Sequence, residues 1–355
     1  MKTSDDRGAA VATDAAGPTD GGGGHGRPAT ERPGSAGYLG SPTLHFIARR
    51  LVSAAVLLLV VSVLSFVLLA LTPGDAARAI LGTQGTAEQY AALRAHLGLD
   101  EPLVGQYWSW LSDAVRGDLG QSLFTSQSVI EAIHQRLPVT LSLILGALVL
   151  SLVFGVGLGV LSAVRGGLLS RIIDGFAMIT FAMPTFWLGS LLITLFAVRL
   201  GWFPATGYVE FSHSPGGWFV SLVLPITALI TGGAAAVAKQ AREAMLNALA
   251  SEHIRMLWAT GIPPRSIVFR HALRNASLPV VTVVGWLFVN FLGGSVYVET
   301  VFALPGLGVM TVNASTQHDI PVIQGAVVYI TALVVLVNLL VDLTYHWLDP
   351  RVRIQ

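Results

Sequence analysis

The hydrophobic pattern of the chain consists of long apolar stretches free of Asp, Glu, Lys and Arg, separated by polar segments. The stretches run Leu51–Gly74, Leu137–Val164, Gly175–Val198, Phe211–Ala238, Asn275–Val298 and Ile320–Val341. Each is long enough to cross a bilayer, because a helix needs about 20 apolar residues and a barrel strand only about 10. The pattern therefore predicts an all-α polytopic membrane protein with six transmembrane helices.

Arginine residues are distributed unevenly between the two sides, which predicts the orientation. With the N-terminus inside, the cytoplasmic basic residues are Arg49, Arg50, Arg165, Arg171, Lys239, Arg242, Arg255, Arg265, Arg270, Arg274, Arg351 and Arg353. The outer side then holds Arg78, Arg94, Arg116, Arg136 and Arg199, diluted by acidic residues. We expect both termini to be cytoplasmic and the segment of about residues 75–136 to lie outside.

The outer segment shows signs of ordered structure. Thr86 and Gln89 have the spacing of a helix capping box, and Gly98 stands where that helix would end. Amphipathic rings that suit the headgroup layer follow at Tyr107, Trp108 and Trp110. Two interpretations remain open: a vestibule or dock for a soluble partner, and a surface helix that braces the first two spans.

Composition narrows the function classes. Residues are 53% hydrophobic and 12% charged, against about 25% charged in soluble domains. A net charge of +1 without a basic stripe gives no nucleic-acid signal, and the absence of Cys excludes disulfides and thiolate chemistry. Residues 1–42, rich in Gly, Ala, Thr, Asp and Pro, are predicted to form a disordered cytoplasmic tail ahead of a transmembrane domain at 43–355.

The predicted cytoplasmic loop, about residues 239–278, has the clearest mechanistic pattern. Ile254, Leu257 and Trp258 recur at helical spacing, and Gly261 is placed to end that helix. Pro263-Pro264 forbids its continuation. A second short helix is expected from Pro264 or Arg265, with Arg270 and Arg274 on one face. Either the first helix docks into a groove of a cytoplasmic motor, or it packs on its own bundle or on lipid headgroups.

An ordered series of segments resembles the B-type permease of dipeptide, oligopeptide and nickel ABC importers over about residues 44–355. In the loop they are Glu252-His253-Ile254-Arg255, Gly261, Arg270-His271-Ala272-Leu273-Arg274-Asn275-Ala276 and Leu278-Pro279. Elsewhere they are Leu97-Gly98-Leu99-Asp100-Glu101-Pro102, Gly117-Asp118-Leu119-Gly120-Gln121-Ser122, Arg136-Leu137-Pro138-Val139-Thr140-Leu141, Glu299-Thr300-Val301-Phe302-Ala303-Leu304-Pro305-Gly306-Leu307-Gly308, Asn338-Leu339-Leu340-Val341-Asp342 and Leu348-Asp349-Pro350-Arg351.

The resemblance implies a type I ABC importer permease fold in a bacterial plasma membrane, with a cytoplasmic coupling helix. The ATPase-coupling residues that it implies are Glu252, Ile254, Arg255, Leu257, Trp258, Ala259, Gly261, Arg270 and Arg274. The chain departs from the family where Glu-Ala-Ala is usual before the spacer to Gly261, because it has Arg255-Met256-Leu257 there. The bulk of Leu257 implies a differently shaped groove on the partner.

The resemblance also implies the partners and the cycle. A second homologous permease, two ATPase subunits with ATP and Mg²⁺, and an extracytoplasmic solute-binding protein are expected around this chain. ATP would close the motors, move the coupling helix and reorient the spans, after which the binding protein releases its solute. We expect no catalytic residue, cofactor or metal in this chain itself.

The sequence independently favours a separate motor. It contains no G-x-x-x-x-G-K-[ST] loop to hold ATP phosphates, and Gly155-x-Gly157-x-Gly159 lies mid-span, where close helix packing explains it. Predicted spans without a charged relay argue against an ion-coupled carrier or channel. The extent of the resemblance argues against a non-transporting scaffold. Peptides are the favoured solute, with nickel chelates and glutathione as alternatives.

Other features admit two interpretations. Pro184, Pro225, Gly232-Gly233 and Gly293-Gly294 are hinges or ordinary membrane-helix packing, and packing is favoured for each. Outer-facing histidines, at His213 and His318-Asp319, lack the spacing of metal ligands and are expected to be incidental. Ala303–Gly308 is predicted to form an outer turn near the pore mouth, since Pro305, Gly306 and Gly308 are turn residues.

Overall fold

The computed structural model describes residues 42–71, 76–82, 85–96 and 98–348. Residues 1–41 of the predicted tail lie outside this part of the chain, as does the C-terminal Asp349-Pro350-Arg351 motif. The described residues form helices joined by turns. Their β-structure is confined to an isolated antiparallel bridge between Gln121 and Ser128.

The helices follow one another along the chain with few long connections. Their bounds are α1 Pro42–Leu71, α2 Ala76–Leu81, α3 Ala87–His96, α4 Leu103–Val115, α5 Val129–Arg165, α6 Gly167–Ala182, α7 Thr185–Leu192, α8 Pro215–Leu249, α9 Glu252–Ala259, α10 Pro264–Ser266, α11 Leu273–Val301, α12 Leu307–Gln317 and α13 Ile320–Leu348. Two segments are π-helical, one following α7 at Ile193–Arg199 and one preceding α11 at Ile267–Ala272.

Within the described residues, five helices are long and apolar enough to span a membrane. The spans are Ala48–Leu71, Val129–Arg165, Pro215–Leu249, Pro279–Val301 and Ile320–Thr344. A sixth is obtained if α6 and α7, which meet at a bend of 99°, cross together as one broken span. This architecture agrees with the predicted polytopic helical fold.

The predicted third span, Gly175–Val198, is not one continuous helix. Met183 has φ −83° and ψ 126°, and Pro184 has φ −63° and ψ 132°, so both are extended. Proline lacks the N–H of a helical hydrogen bond and drives the preceding residue out of the α region. The helix therefore breaks at Pro184, whereas Pro225 lies inside the uninterrupted α8. The hinge and packing interpretations of Pro184 both stay predictions.

Close packing of α5 on α8 explains the mid-span glycines. A Cβ on Gly155 would lie 2.5 Å from Val237 Cβ, and one on Gly159 would lie 2.6 Å from the carbonyl oxygen of Ala238. Such small residues let membrane helices approach backbone to backbone. The packing interpretation is confirmed for Gly155 and Gly159, whereas an added Cβ at Gly157 would meet nothing within 4 Å.

The first span attaches to the last through a buried amide. Gln324 of α13 is 1% exposed, and its Nε2 donates to the carbonyl of Ser62 in α1 at 2.9 Å. Ser65 Oγ donates to Gln324 Oε1 at 2.7 Å. Near the other end of this helix pair, Arg50 of α1 forms an ion pair with Asp342 of α13, with 2.9 Å between Nη2 and Oδ2. These polar contacts hold α1 on α13 where apolar side chains alone give little preference over lipid.

The predicted outer segment folds as its capping signals indicate. Thr86 N–H donates to Gln89 Oε1 at 2.9 Å, and Gln89 N–H donates to Thr86 Oγ1 at 3.3 Å, which confirms the capping box. Tyr107 of α4 lies 2.8 Å from Ser62 Oγ through its hydroxyl and packs edge-on against Phe66 of α1. These contacts are the kind expected if the outer segment braces the first span. Its use as a dock for a soluble partner stays a prediction.

Candidate functional site

The short helix α9 forms where the sequence predicts it and ends by a glycine-dependent cap. Gly261 has φ +78°, a conformation that residues with a Cβ rarely adopt. Its N–H donates to the carbonyl of Trp258 at 3.1 Å, and the N–H of Ile262 donates to that of Leu257 at 3.3 Å. This pair of bonds is the Schellman motif, which turns the chain sharply away from the helix axis.

The apolar residues of α9 differ in how deeply they are buried, although their spacing places Ile254, Leu257 and Trp258 on one predicted helical face. Ile254 is fully buried, and Leu257 is half-buried and packs against the same buried cluster of this chain. Trp258 is 48% exposed and Met256 is 63% exposed. The spacing of an eight-residue helix spreads these side chains over two faces, so α9 both packs on its own bundle and presents an apolar surface. Met256 is a member of that surface that the sequence analysis missed.

Ile254 connects α9 to the membrane helices. It belongs to a buried cluster that includes Met245 at the end of α8 and Ile267 and Ala272 of the π-helical segment. All four side chains are fully buried. Because packed interiors are dense and transmit displacement, a shift of α9 must reach α8 and the start of α11. We call the α9 helix and this cluster the coupling region.

The charged residues predicted for coupling lie at the surface of this region. Glu252, Arg255, Arg270 and Arg274 are exposed, as are Ala259 and Gly261. Within the described chain, none of these four charged side chains forms a salt bridge. They are therefore available to an external partner, together with Trp258 and Met256.

The opposite end of α11 contains a polar site that the sequence analysis did not identify. Glu299 directly follows the predicted span Asn275–Val298, and it is fully buried. Its carboxylate accepts hydrogen bonds from Thr140 Oγ1 at 2.7 Å and from the N–H of Val309 at 3.0 Å. Gly306 and Gly308 surround it so closely that a Cβ at either would overlap the carboxylate or crowd it. The adjacent Pro-Gly-x-Gly pattern was the available signal.

The predicted turn at Ala303–Gly308 is present, with one correction. The chain turns at Ala303, whose φ is +50°, and α12 already begins at Leu307. Leu307 is 1% exposed, so it packs inward and does not face solvent. The turn is anchored by the buried carboxylate of Glu299.

Asp319, which directly precedes α13, accepts hydrogen bonds from the segment between α4 and α5. Its Oδ2 accepts from Ser122 Oγ at 2.5 Å and its Oδ1 accepts from the N–H of Leu123 at 3.2 Å. This buried carboxylate thus holds the connection between α4 and α5 against the start of α13. Among the described residues, no group of three or more His, Asp or Glu has the arrangement of a metal site.

Two family models match the chain. Residues 155–354 match the family model described as "Binding-protein-dependent transport system inner membrane component". Residues 43–144 match the model for the N-terminal region of such membrane components.

Individual relatives align over nearly their full length. The peptide ABC transporter permease protein y4tP of Sinorhizobium fredii is 41% identical, covering 87% of this chain and 99% of that protein. The glutathione transport system permease protein GsiC of Escherichia coli is 36% identical, with the same coverage of both chains. A solved structure of the MetNI methionine ABC transporter in inward-facing conformations aligns with a TM-score of 0.47 and 19% identity, covering 62% of this chain and 97% of the other.

Proposed function

Because the chain belongs to the family of binding-protein-dependent transport system inner membrane components, we propose that it forms the permease of an ATP-driven importer for di- and oligopeptides. The observation that carries the substrate class is the 41% identity to a peptide permease over 99% of that protein's length. Membership in this family also makes it a multi-pass protein of the bacterial inner membrane. The family and the helical architecture together support the type I permease fold.

The coupling region supports a division of labour with a separate motor. Its exposed Trp258 and Met256 offer an apolar surface, and the surrounding arginines offer charge, while Ile254 links the same helix to the spans. ATP hydrolysis with Mg²⁺ belongs in this proposal to two partner ATPases, and this chain contributes no catalytic residue, cofactor or metal ligand. A displacement of α9 by the motor is transmitted through the buried cluster to α8 and α11.

The remaining partners and the orientation belong to the same proposal. A second homologous permease completes the pathway, and an extracytoplasmic binding protein delivers the solute at the end that carries α12. The termini and α9 are cytoplasmic, as the arginine distribution favours. A cysteine replacing the exposed Met256 should react with a membrane-impermeant thiol reagent only in inverted vesicles. Reaction in right-side-out vesicles would reverse the topology.

Glutathione is the second candidate solute, and the 36% identity to a glutathione permease favours it. A nickel chelate has no comparable support. An ion-coupled carrier is disfavoured because the family consists of binding-protein-dependent systems. Glutathione is itself a tripeptide-like zwitterion with an extra carboxylate, so the two solutes make similar chemical demands on the permease.

The experiment measures the ATPase activity of this chain co-expressed with its partner subunits and reconstituted into membranes. The activity is compared between binding protein without solute and binding protein loaded with solute. A dipeptide mixture and glutathione are supplied separately, and uptake is measured in parallel. Stimulation by loaded binding protein with uptake of dipeptide supports the proposal; stimulation by glutathione alone selects the second candidate. Purification of the chain without any associated ATPase would overturn the importer assignment.

A further inference from the structure

A cavity of about 850 Å³ lies between α6 and α8 towards the coupling region. Its walls include apolar side chains of α6, α8 and α11, among them Ala177, Met178, Ala236 and Trp286. The volume is within the range of about 300–1,000 Å³ that is typical of small-molecule sites. The cavity therefore has the size and the mainly apolar lining of a ligand site.

Four ionisable side chains line the same cavity: Asp174 of α6 and Lys239, Arg242 and Glu243 of α8. They comprise two cations and two anions, so their charges balance. Lys239 directly follows the charge-free stretch of α8, which places this group at the edge of the membrane-spanning region. Ionisable groups near the end of a membrane helix reach the membrane–water interface, so a charged solute can approach them from there.

These charges are poorly satisfied by one another. Arg242 Nη1 is 3.5 Å from Asp174 Oδ2, longer than a good charge-assisted hydrogen bond of about 2.7–2.9 Å. Its Nε is buried and has no hydrogen-bond partner among the described residues. Within that part of the chain, Lys239 and Glu243 form no ion pair. Lys239 and Glu243 are exposed, and the side chains of Arg242 and Asp174 are 33% and 47% exposed, so a ligand that enters the cavity can reach all four charged groups.

A smaller cavity of about 200 Å³ adjoins Trp286, which lines the larger cavity. It lies at the break between α6 and α7, and Thr180, Thr185, Thr231 and Asn290 give it a polar lining. Transporters place their substrates at broken helices with polar groups, and the smaller cavity lies at such a break beside the charged site.

We propose that the larger cavity binds the solute in transit and selects a small zwitterion that has both a free ammonium and a free carboxylate. The carboxylate binds Lys239 and the exposed part of the Arg242 guanidinium, which are the two cations of the cavity. The ammonium binds Asp174 and Glu243, and the apolar walls at Met178 and Trp286 receive the side chains. This inference deepens the proposed import function and rests on it.

The absence of cysteine from the chain makes the test direct. Ala236→Cys introduces one reporter thiol into the cavity wall, one helical turn from Lys239. In the complete reconstituted complex without nucleotide, labelling of this subunit by a neutral maleimide is timed with and without alanyl-alanine. We expect about 10 mM dipeptide to slow labelling about fivefold, since occupancy protects by 1 + [L]/Kd and this corresponds to a Kd of about 2.5 mM.

Matched controls separate recognition of charge from general effects. N-acetyl-alanyl-alanine amide, which lacks both charges, should protect less than about twofold, because neither charged pair can form. Gly157→Cys, on a face of α5 with open space around it, should show no protection. Lys239→Gln and Glu243→Gln should each abolish most of the protection, whereas Arg165→Gln, an exposed cation outside the cavity, should preserve it.

The outcomes distinguish this inference from the import function. Uptake of dipeptide by the same preparation without protection at Ala236→Cys overturns the inference and leaves the import function standing. Protection without uptake supports the zwitterion site and overturns import of dipeptide. Equal protection by the uncharged analogue, or at Gly157→Cys, overturns charge recognition. Size-exclusion profiles that match the parent complex establish that each variant is folded.

Discussion

Thr140 and Glu299 jointly hold the start of α12, although they lie on different helices and far apart in sequence. Thr140 Oγ1 donates to Glu299 Oε1 at 2.7 Å and accepts from the N–H of Leu307 at 2.9 Å. Glu299 Oε2 accepts from the N–H of Val309 at 3.0 Å. Two otherwise unpaired N–H groups of the first turn of α12 are thereby satisfied. The link joins α5, α11 and α12 at the end opposite the coupling region.

This link predicts a large effect of a small substitution. Thr140→Val keeps the shape of the side chain but leaves the Leu307 N–H and one carboxylate oxygen without their partner. We expect a loss of about 1–3 kcal/mol in the free energy of unfolding, the cost of stranding buried polar groups. A fall in the unfolding temperature of the purified complex would report it.

Thr311→Val is the matched control, because Thr311 Oγ1 donates only to the carbonyl of Leu307 within its own helix. Thr140→Ser, which keeps the hydroxyl, should retain most of the stability. An unfolding temperature for Thr140→Val equal to that of Thr311→Val would mean that the link contributes nothing to stability.

Substitutions on the buried and on the exposed side of α9 should have different effects, one on stability and the other on coupling. Ile254→Ala removes a fully buried side chain and should destabilise the fold by about 2–5 kcal/mol, from lost transfer energy and the cavity left behind. Trp258→Ala removes an exposed side chain and should leave the unfolding temperature nearly unchanged while uncoupling uptake from ATP hydrolysis. Both quantities are measured on the same preparations. Undiminished uptake by Trp258→Ala would remove the coupling role of the exposed face.

The sequence predicted the features that depend on local chemistry. Thr86 and Gln89 cap a helix because their spacing alone brings each side chain to the other's backbone, and Gly261 ends α9 because few other residues adopt its φ. Five of the six apolar stretches form continuous spans for the same reason: length and hydrophobicity decide them.

The features that the sequence did not predict depend on contacts between residues that are far apart in the chain. Glu299 is buried only because α5 and the turn before α12 close around it, and no local spacing reveals Thr140 as its partner. Ile254 and Trp258 are both apolar, so their pattern cannot say which one the bundle covers. Proline is common in membrane helices, so the sequence around Pro184 does not reveal that the helix breaks there.

The glycine that ends α9 provides a test of backbone conformation alone. No atom would lie within 4 Å of a Cβ added to Gly261, so substitution there causes no steric clash. Gly261→Ala should still cost about 1–2 kcal/mol, because the left-handed conformation is unfavourable for a residue with a Cβ. Uptake should fall as α9 loses its cap.

Gly261→Asn should fall between the parent and Gly261→Ala, because Asn visits the left-handed region more readily than Ala. Uptake and ATPase activity of the three complexes, measured side by side, check this order. Identical activities would show that the cap is irrelevant to coupling.

Two glycines of α5, two residues apart, differ in their contact with α8: Gly159 lies against it and Gly157 does not. A Cβ at Gly159 would meet the Ala238 carbonyl oxygen at 2.6 Å and the Ala241 Cβ at 2.7 Å, and backbone atoms cannot move aside locally. Gly159→Ala should therefore force the helices apart and cost more than about 1 kcal/mol, as overpacking does. Gly157→Ala meets nothing within 4 Å and should be neutral or stabilising by up to about 1 kcal/mol, since Ala favours the helix. Thermal unfolding of both variants checks the difference in sign, and equal shifts would mean that the two helices do not meet at Gly159. Because α8 also carries the charged cavity residues, the Gly159→Ala complex should lose uptake as well as stability.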